Sequence, residues 1–248
     1  MKLIISADDL GLSKSVTDGI LYAYKNKLVT STSIFSNLDY TSYAINALKD
    51  TTVCDVGLHV NFTVGTSLTK NKKICPFECD RLVDHAKKVE ILNTISYQEA
   101  ILEIYEQLEN LTKNGVKISH IDTHGGIENI TNIFEAVSDV AKKENLPFRC
   151  YDKDLKLILK NKQVKTVDKF YMNYFKKGVS VETLEKIVDE NKNTNNTCLI
   201  MTHAGFVDDY TMNFSNYNEM RKVELDTLAT FIKNSNLEDV EFINHNDL

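Results

Sequence analysis

Two adjacent carboxylates, Asp8 and Asp9, stand in the run Ala7-Asp8-Asp9-Leu10-Gly11, directly behind the apolar residues Leu3-Ile4-Ile5. Acids crowded at the end of a buried strand repel each other and lose hydration, so they persist where a cation, a shared proton or a catalytic task uses them. Histidines recur in comparable places: Gly57-Leu58-His59, His120-Ile121-Asp122-Thr123-His124 and Met201-Thr202-His203 each follow an apolar, strand-like run. One carboxylate with two imidazoles is a standard set for a divalent ion that keeps positions open for water and substrate. Such an ion polarises a carbonyl and acidifies water, so hydrolysis is the chemistry to expect. A spare carboxylate can then serve as general base and a histidine across the site as general acid.

Each residue also has a plainer reading. A lone His59 is more often a hydrogen-bonded, half-buried histidine than a ligand. Asp8 could cap the turn that follows it. His120 and Asp122 could be an Asp–His pair of the core, although His120, Asp122 and His124 alternate along an extended chain and can share one face. Gly125 and Gly126 permit close approach of a ligand and equally a tight turn. Four such stations weighed jointly favour one shared site.

The elements that must carry these groups alternate. Strands are expected at the start of the chain, at Thr30–Phe35, Val53–Phe62, Val116–Ile121, Phe148–Tyr151, Phe170–Tyr174, Thr197–Thr202 and Val240–Ile243. Between them, Ser13 caps a helix carrying Val16, Ile20 and Tyr24, and a second helical stretch places Tyr40, Ala44, Ala47 and Leu48 on one side. Ser96-Tyr97-Gln98-Glu99 is a capping box that opens a helix through Ile101, Ile104, Tyr105, Leu108 and Leu111, with Gly115 at its end. Ile130, Ile133, Phe134, Val137 and Val140 line another helix before Pro147. Ser180 caps one through Leu184, Ile187 and Val188, and Met220, Val223, Leu228, Phe231 and Ile232 mark the last. Residues 64–90 lack periodicity and read as an excursion over one face, a lid or a partner surface. About eight strands alternating with helices predict an α/β fold, a distorted TIM-like (β/α) barrel as one domain over residues 1–248, with an open doubly wound sheet as the alternative. In a barrel the site lies at the C-terminal ends of the strands, where all the polar groups above fall.

Composition narrows the function. A net charge of −6 argues against a nucleic-acid partner, which needs clustered Lys and Arg; the short basic stretch Lys70–Lys73 reads as a solvated loop. No apolar stretch reaches the ~20 residues that span a bilayer, and no signal-peptide pattern is present, so a cytoplasmic location is expected. Five cysteines fit reduced thiols, and Cys75 with Cys79 lacks the second pair that a zinc knuckle needs. No Gly-x-Gly-x-x-Gly turn or Walker loop points to a nucleotide.

The residues Ala7 to Ser13, Thr30-Ser31-Thr32 with Asn37, Gly57 to Thr63, His120 to His124, and Thr202-His203 resemble, in order and nearly end to end, the successive motifs of the YdjC-like carbohydrate deacetylases, which include the chitooligosaccharide deacetylases. The resemblance implies removal of acetyl groups from N-acetylated sugars with a divalent metal ion; Asp and His donors suit zinc, manganese, cobalt or iron, and also magnesium where waters complete its shell. It implies Asp9, His59 and His124 as metal ligands, Asp8 as the base that deprotonates the attacking water, and His203 as the acid that protonates the departing amine. His120 and Asp122 would fix His124 or the base from behind. Two departures stand out: Gly125-Gly126-Ile127-Glu128 where the family often has further histidines, and Ala204-Gly205 where it often has proline. Phe35, Phe206, Tyr210 and Phe214 could stack on sugar rings or simply pack. The partner expected is therefore a small carbohydrate, with a homodimer left open. The rival readings are a sugar-binding barrel without catalysis and a two-His-one-carboxylate metalloenzyme of another reaction class, such as an iron oxygenase.

Overall fold

A computed structural model describes residues 1–248. Strand β1 (Lys2–Leu10) is buried from Leu3 onward and lies at the centre of a seven-stranded parallel sheet. With β2 (Ser31–Ile34), β3 (Val56–Val60), β4 (Ile118–Thr123), β5 (Lys169–Tyr171), β6 (Thr197–Thr202) and β7 (Glu241–Phe242), the order is β4-β3-β2-β1-β6-β5, with β7 also paired to β1. Since β6 follows β1 from Lys2 to Ala7, β7 takes the start of the edge that β2 occupies from Ser6 onward. The sheet curves into a half-barrel ringed by helices, within the barrel class expected.

Seven strands form where eight were expected. The segment Phe148–Tyr151 contributes a single bridge, Ile121 to Phe148. Pro147 has no N–H to offer, and Asp152 already caps a following helix, so little is left between them to pair. The remaining strands fall inside the expected segments, except that β4 runs on to Thr123 and β5 starts one residue early, at Lys169.

The helices are α1 (Lys14–Lys25), α2 (Thr41–Lys49), α3 (His85–Asn93), α4 (Tyr97–Lys113), α5 (Thr131–Lys143), α6 (Lys153–Asn161), α7 (Val181–Asn191), α8 (Asp209–Phe214) and α9 (Glu219–Asn234). Ser13 accepts from Val16 N at 3.0 Å, and Ser96 with Glu99 forms the complete capping box. The excursion is not featureless: it holds a tight turn at Asp80–Leu82 and then α3, capped by Asp84. Helices α6 and α8 also form where the sequence predicts no element.

Alternation along β1 divides the core. Leu3, Ile5 and Ala7 join the main apolar cluster, whereas Ile4 belongs to a small separate one with Val167, Leu199 and Ile243. On the side of Ile4 the next residues are Ser6 and Asp8, so above a thin apolar floor this face turns polar. All five cysteines are free thiols, and no helix is long and apolar enough to cross a membrane.

Candidate metal and catalytic site

Adjacent residues of a strand point to opposite faces, yet Asp8 and Asp9 are both drawn into one polar network. The pairing of β1 with β2 shifts between Ala7 and Leu10, where three steps on β1 face two on β2, and Asp9 takes a left-handed φ of 76°. A bulge of this kind re-aims side chains, and Asp is among the few non-glycine residues that enter this region at modest cost.

Asp9, His59 and His124 come together. Each offers one ligand atom, and these atoms lie within 4.8 Å of one another. His59 Nε2 is 3.6 Å and His124 Nδ1 is 3.7 Å from Asp9 Oδ1. That oxygen is buried and has no hydrogen-bond partner, which is costly unless something positive sits beside it. The other nitrogen of each ring is already taken: His59 Nδ1 meets Asp122 Oδ1 at 2.5 Å and His124 Nε2 meets Asp80 Oδ1 at 3.1 Å. A ring that donates from one nitrogen to a carboxylate presents a lone pair at the other, so the two histidines can serve a cation through opposite nitrogens. This donor set fits a divalent ion.

Charge is arranged to match. Burial works to raise the Asp9 pKa, but the Arg221 guanidinium, His124 and His203 hold it well below the usual carboxylate range. Arg221, almost fully buried, donates to Asp9 Oδ2 at 2.7 Å. Burial pulls His124 down, yet Asp80 and Asp9 outweigh it and push this imidazole up to about 10. Without an ion His124 therefore holds a proton that a cation must displace. Phe35, wholly buried, packs edge-on against both rings at 4.8 and 5.0 Å.

Asp8 lies outside this triad. Arg149 grips it with both arms, at 2.5 and 2.7 Å, and reaches Asp122 Oδ2 at 3.1 Å. The guanidinium fork fixes the orientation of the Asp8 carboxylate. His203 and Asp8 line one cavity of about 320 Å³ together with His59, His124, Glu128 and Phe170. The His203 backbone N–H donates to Glu224 at 2.5 Å, its ring packs near Phe175 and Tyr217, and its Nδ1 is buried without a partner. A second cavity of about 340 Å³ shares His124, Gly125 and Phe175 with the first, so His124 stands between two spaces. A larger groove of about 1030 Å³ along α8 and α9 contains none of Asp8, Asp9, His59, His124 and His203.

Asp122 stands behind His59 rather than His124, and reaches Asp8 through Arg149. His120 meets neither His124 nor Asp8. It pairs with Asp55 at 3.4 Å, stacks on His245 with ring centroids 3.5 Å apart, and comes no nearer to Asp122 than 3.8 Å. The reason is depth: His120 lies two residues below Asp122 on the same face of β4, over Gly57, where Asp55 and His245 are its neighbours. Of the candidate stacking aromatics, Phe35 is core, Tyr210 packs on Tyr40 and Phe214, and Phe206 lies in the outer groove beside Tyr22.

Sequence reading missed Asp80, Arg149, Arg221 and Glu224. Arg221 and Glu224 share the buried stripe of α9 with Leu225, Leu228 and Phe231. Charges on an apolar stripe are the signal that could have found them, since buried Arg and Glu are rare unless paired.

The chain matches the family model described as YdjC-like protein over residues 2–231. It is 32% identical over 253 residues to a carbohydrate deacetylase of Clostridium beijerinckii, with 100% of both chains covered. It is 31% identical over 240 residues to a carbohydrate deacetylase of Thermoanaerobacter pseudethanolicus, with 95% of each covered. A crystal structure from Enterococcus faecalis, of a protein provisionally named for cellobiose-phosphate cleavage, has a TM-score of 0.86 over 99% of this chain and 98% of that one. At 24% identity it speaks for the fold.

Proposed function

The chain belongs to the YdjC-like family, and on that premise we propose that it is a metal-dependent carbohydrate deacetylase, hydrolysing the N-acetyl group of an N-acetylglucosamine-containing (chito)oligosaccharide or its phosphate. The observation that carries metal dependence is the orphaned, buried Asp9 Oδ1 facing His59 Nε2 and His124 Nδ1.

In this reading Asp9, His59 and His124 hold a divalent ion, magnesium or zinc. When bound, the ion supplies Lewis-acid polarisation of the amide carbonyl and acidifies water. Asp8, steadied by Arg149, accepts the proton of the water that attacks the amide carbon. His203, lining the same cavity, gives a proton to the amide nitrogen as the carbon–nitrogen bond breaks, so that acetate and a free amine leave. Asp122 steadies both halves, holding His59 on one oxygen and Arg149 on the other.

The test is acetate release from a panel of N-acetylated mono- and disaccharides, with and without phosphate, under several divalent ions. Release that chelator stops and that one ion restores supports the reading. Release undiminished in chelator refutes the metal-dependent form, and sugar binding with no release under any ion favours a barrel that has lost catalysis.

A further inference from the structure

The excursion after β3 does more than cover the site, because its turn at Asp80–Leu82 touches the cation-facing triad. We propose that Asp80 is a positioning residue and that the segment Asp80–Asn93 holds His124 in its ligating pose; this rests on the reading of Asp9, His59 and His124 as a cation site.

His124 lies one residue past the end of β4, followed by Gly125 and Gly126 at φ 67° and 73°. These two left-handed glycines kink the short 3-10 segment His124–Asn129, so neither a strand nor a regular helix fixes the backbone at this point. His59, by contrast, sits inside β3, with its partner Asp122 on the neighbouring strand. What the sheet does for His59 must be done for His124 by something else.

The excursion supplies it from two sides. Asp80 Oδ1 accepts from His124 Nε2 at 3.1 Å, and Lys88 Nζ donates to the Gly125 carbonyl at 2.8 Å. Lys88 is only 8% exposed, far below the ordinary exposure of a lysine. The turn is itself bolted down: Arg81 donates to the Met212 carbonyl at 2.8 Å, and Asn216 to the Asp80 carbonyl at 3.3 Å. Asp80 and Asp9 lie against opposite nitrogens of one imidazole. The ring separates them, so Asp80 acts through His124 and not on the ion. Carboxylate partners of ligating histidines fix ring orientation and raise ligand basicity, and their loss lowers metal affinity about 10–100-fold.

The experiment is a competition titration of Zn(II) and Co(II) against a chromophoric chelator. It compares wild type with Asp80→Ala, Asp80→Asn, Asp80→Glu and Lys88→Met, with the visible spectrum of the Co(II) form recorded for each. Asp80→Ala should bind about 10–100-fold more weakly and shift the Co(II) bands. Asp80→Glu should recover part of the loss and Lys88→Met should show a smaller one, while ion-free circular dichroism stays native in all. Native-like Asp80→Ala and Asp80→Asn that bind as tightly as wild type, or more tightly, would overturn the proposal alone. A wild type that binds neither ion sinks the underlying reading as well.

Discussion

At Asp8 and Asp9 one added residue in a strand separates two roles. With the bulge, Asp9 turns to the imidazoles and Asp8 to Arg149. If Asp8 is the base, Asp8→Asn keeps the size of the side chain and one acceptor for Arg149 but cannot take a proton. Turnover should fall by about 10²–10⁴-fold, while metal affinity stays within a few-fold of wild type by chelator competition. Loss of both together would assign Asp8 to the ion instead. The residues legible in the sequence, Asp8, Asp9, His59, His124 and His203, are those at strand ends, where an apolar run makes a polar group conspicuous. Arg149 was hidden in a short apolar-looking segment, and Asp80 in a stretch without periodicity. What Asp122 holds could not be read, because alternation gives the face of a side chain and not its neighbour.

Among the elements, the contact of β3 and β4 with the segment after β7 carries a second buried cluster beneath the proposed centre. Asp55, His120 and His245 lie within coordinating reach of one another. The two imidazole planes, however, are tilted by only 12° at 3.5 Å, so one cation cannot lie in both. The cluster is better described as a clasp: Asp55 Oδ2 accepts from both the backbone and the ring of His245, at 3.0 and 2.9 Å. His120 fits only because residue 57 is glycine, where a Cβ would come 2.3 Å from its Nε2. Gly57→Ala should therefore destabilise the fold by about 1–3 kcal/mol or more, read as a lower urea midpoint at unchanged slope; an unchanged midpoint would show that His120 can move aside. Burial, and then the charge of His120, push His245 down to about 4, against the pull of Asp55. Between the unfolded value near 6.5 and about 4 the unfolded chain binds a proton that the folded chain does not. This group's contribution to stability is therefore lost as pH falls through that window. His120 and Asp55 do not cancel it there: the raised His120 loses its contribution only as pH climbs above 6.5, and the lowered Asp55 only below its ordinary range near 3.8. Urea titrations at pH 7 and 4.5 should show His245→Gln with a flatter decline than wild type, and parallel declines would rule out His245 as the source. None of this was legible, since His245 lies in a segment with no motif.

For the whole molecule, alternation of apolar runs with capped helices revealed the barrel class because each β–α unit is a local pattern. Closure was not legible, because it depends on whether Phe148–Tyr151 has enough free backbone to pair, which Pro147 and the cap at Asp152 decide. The proposed ligands come from β1, from β3 and from just beyond β4, while β2 lies between β1 and β3 in the sheet. An ion held by Asp9, His59 and His124 would thus cross-link segments more than a hundred residues apart, and it would bind the folded chain far better than the unfolded one. At free ion one hundred times the dissociation constant, linkage gives about 2.7 kcal/mol of added stability. In a domain of this size each kcal/mol moves the midpoint by roughly 2–4 °C. Thermal melts should therefore rise by roughly 5–11 °C on loading and fall back in chelator, with the increment growing logarithmically with ion concentration. The proton that His124 holds up to about pH 10 competes with the ion, so the increment should also be larger at pH 8.5 than at pH 6.5. His59→Ala should melt lower than wild type and gain nothing from the ion. If it gains as much as wild type, the stabilising ion sits elsewhere.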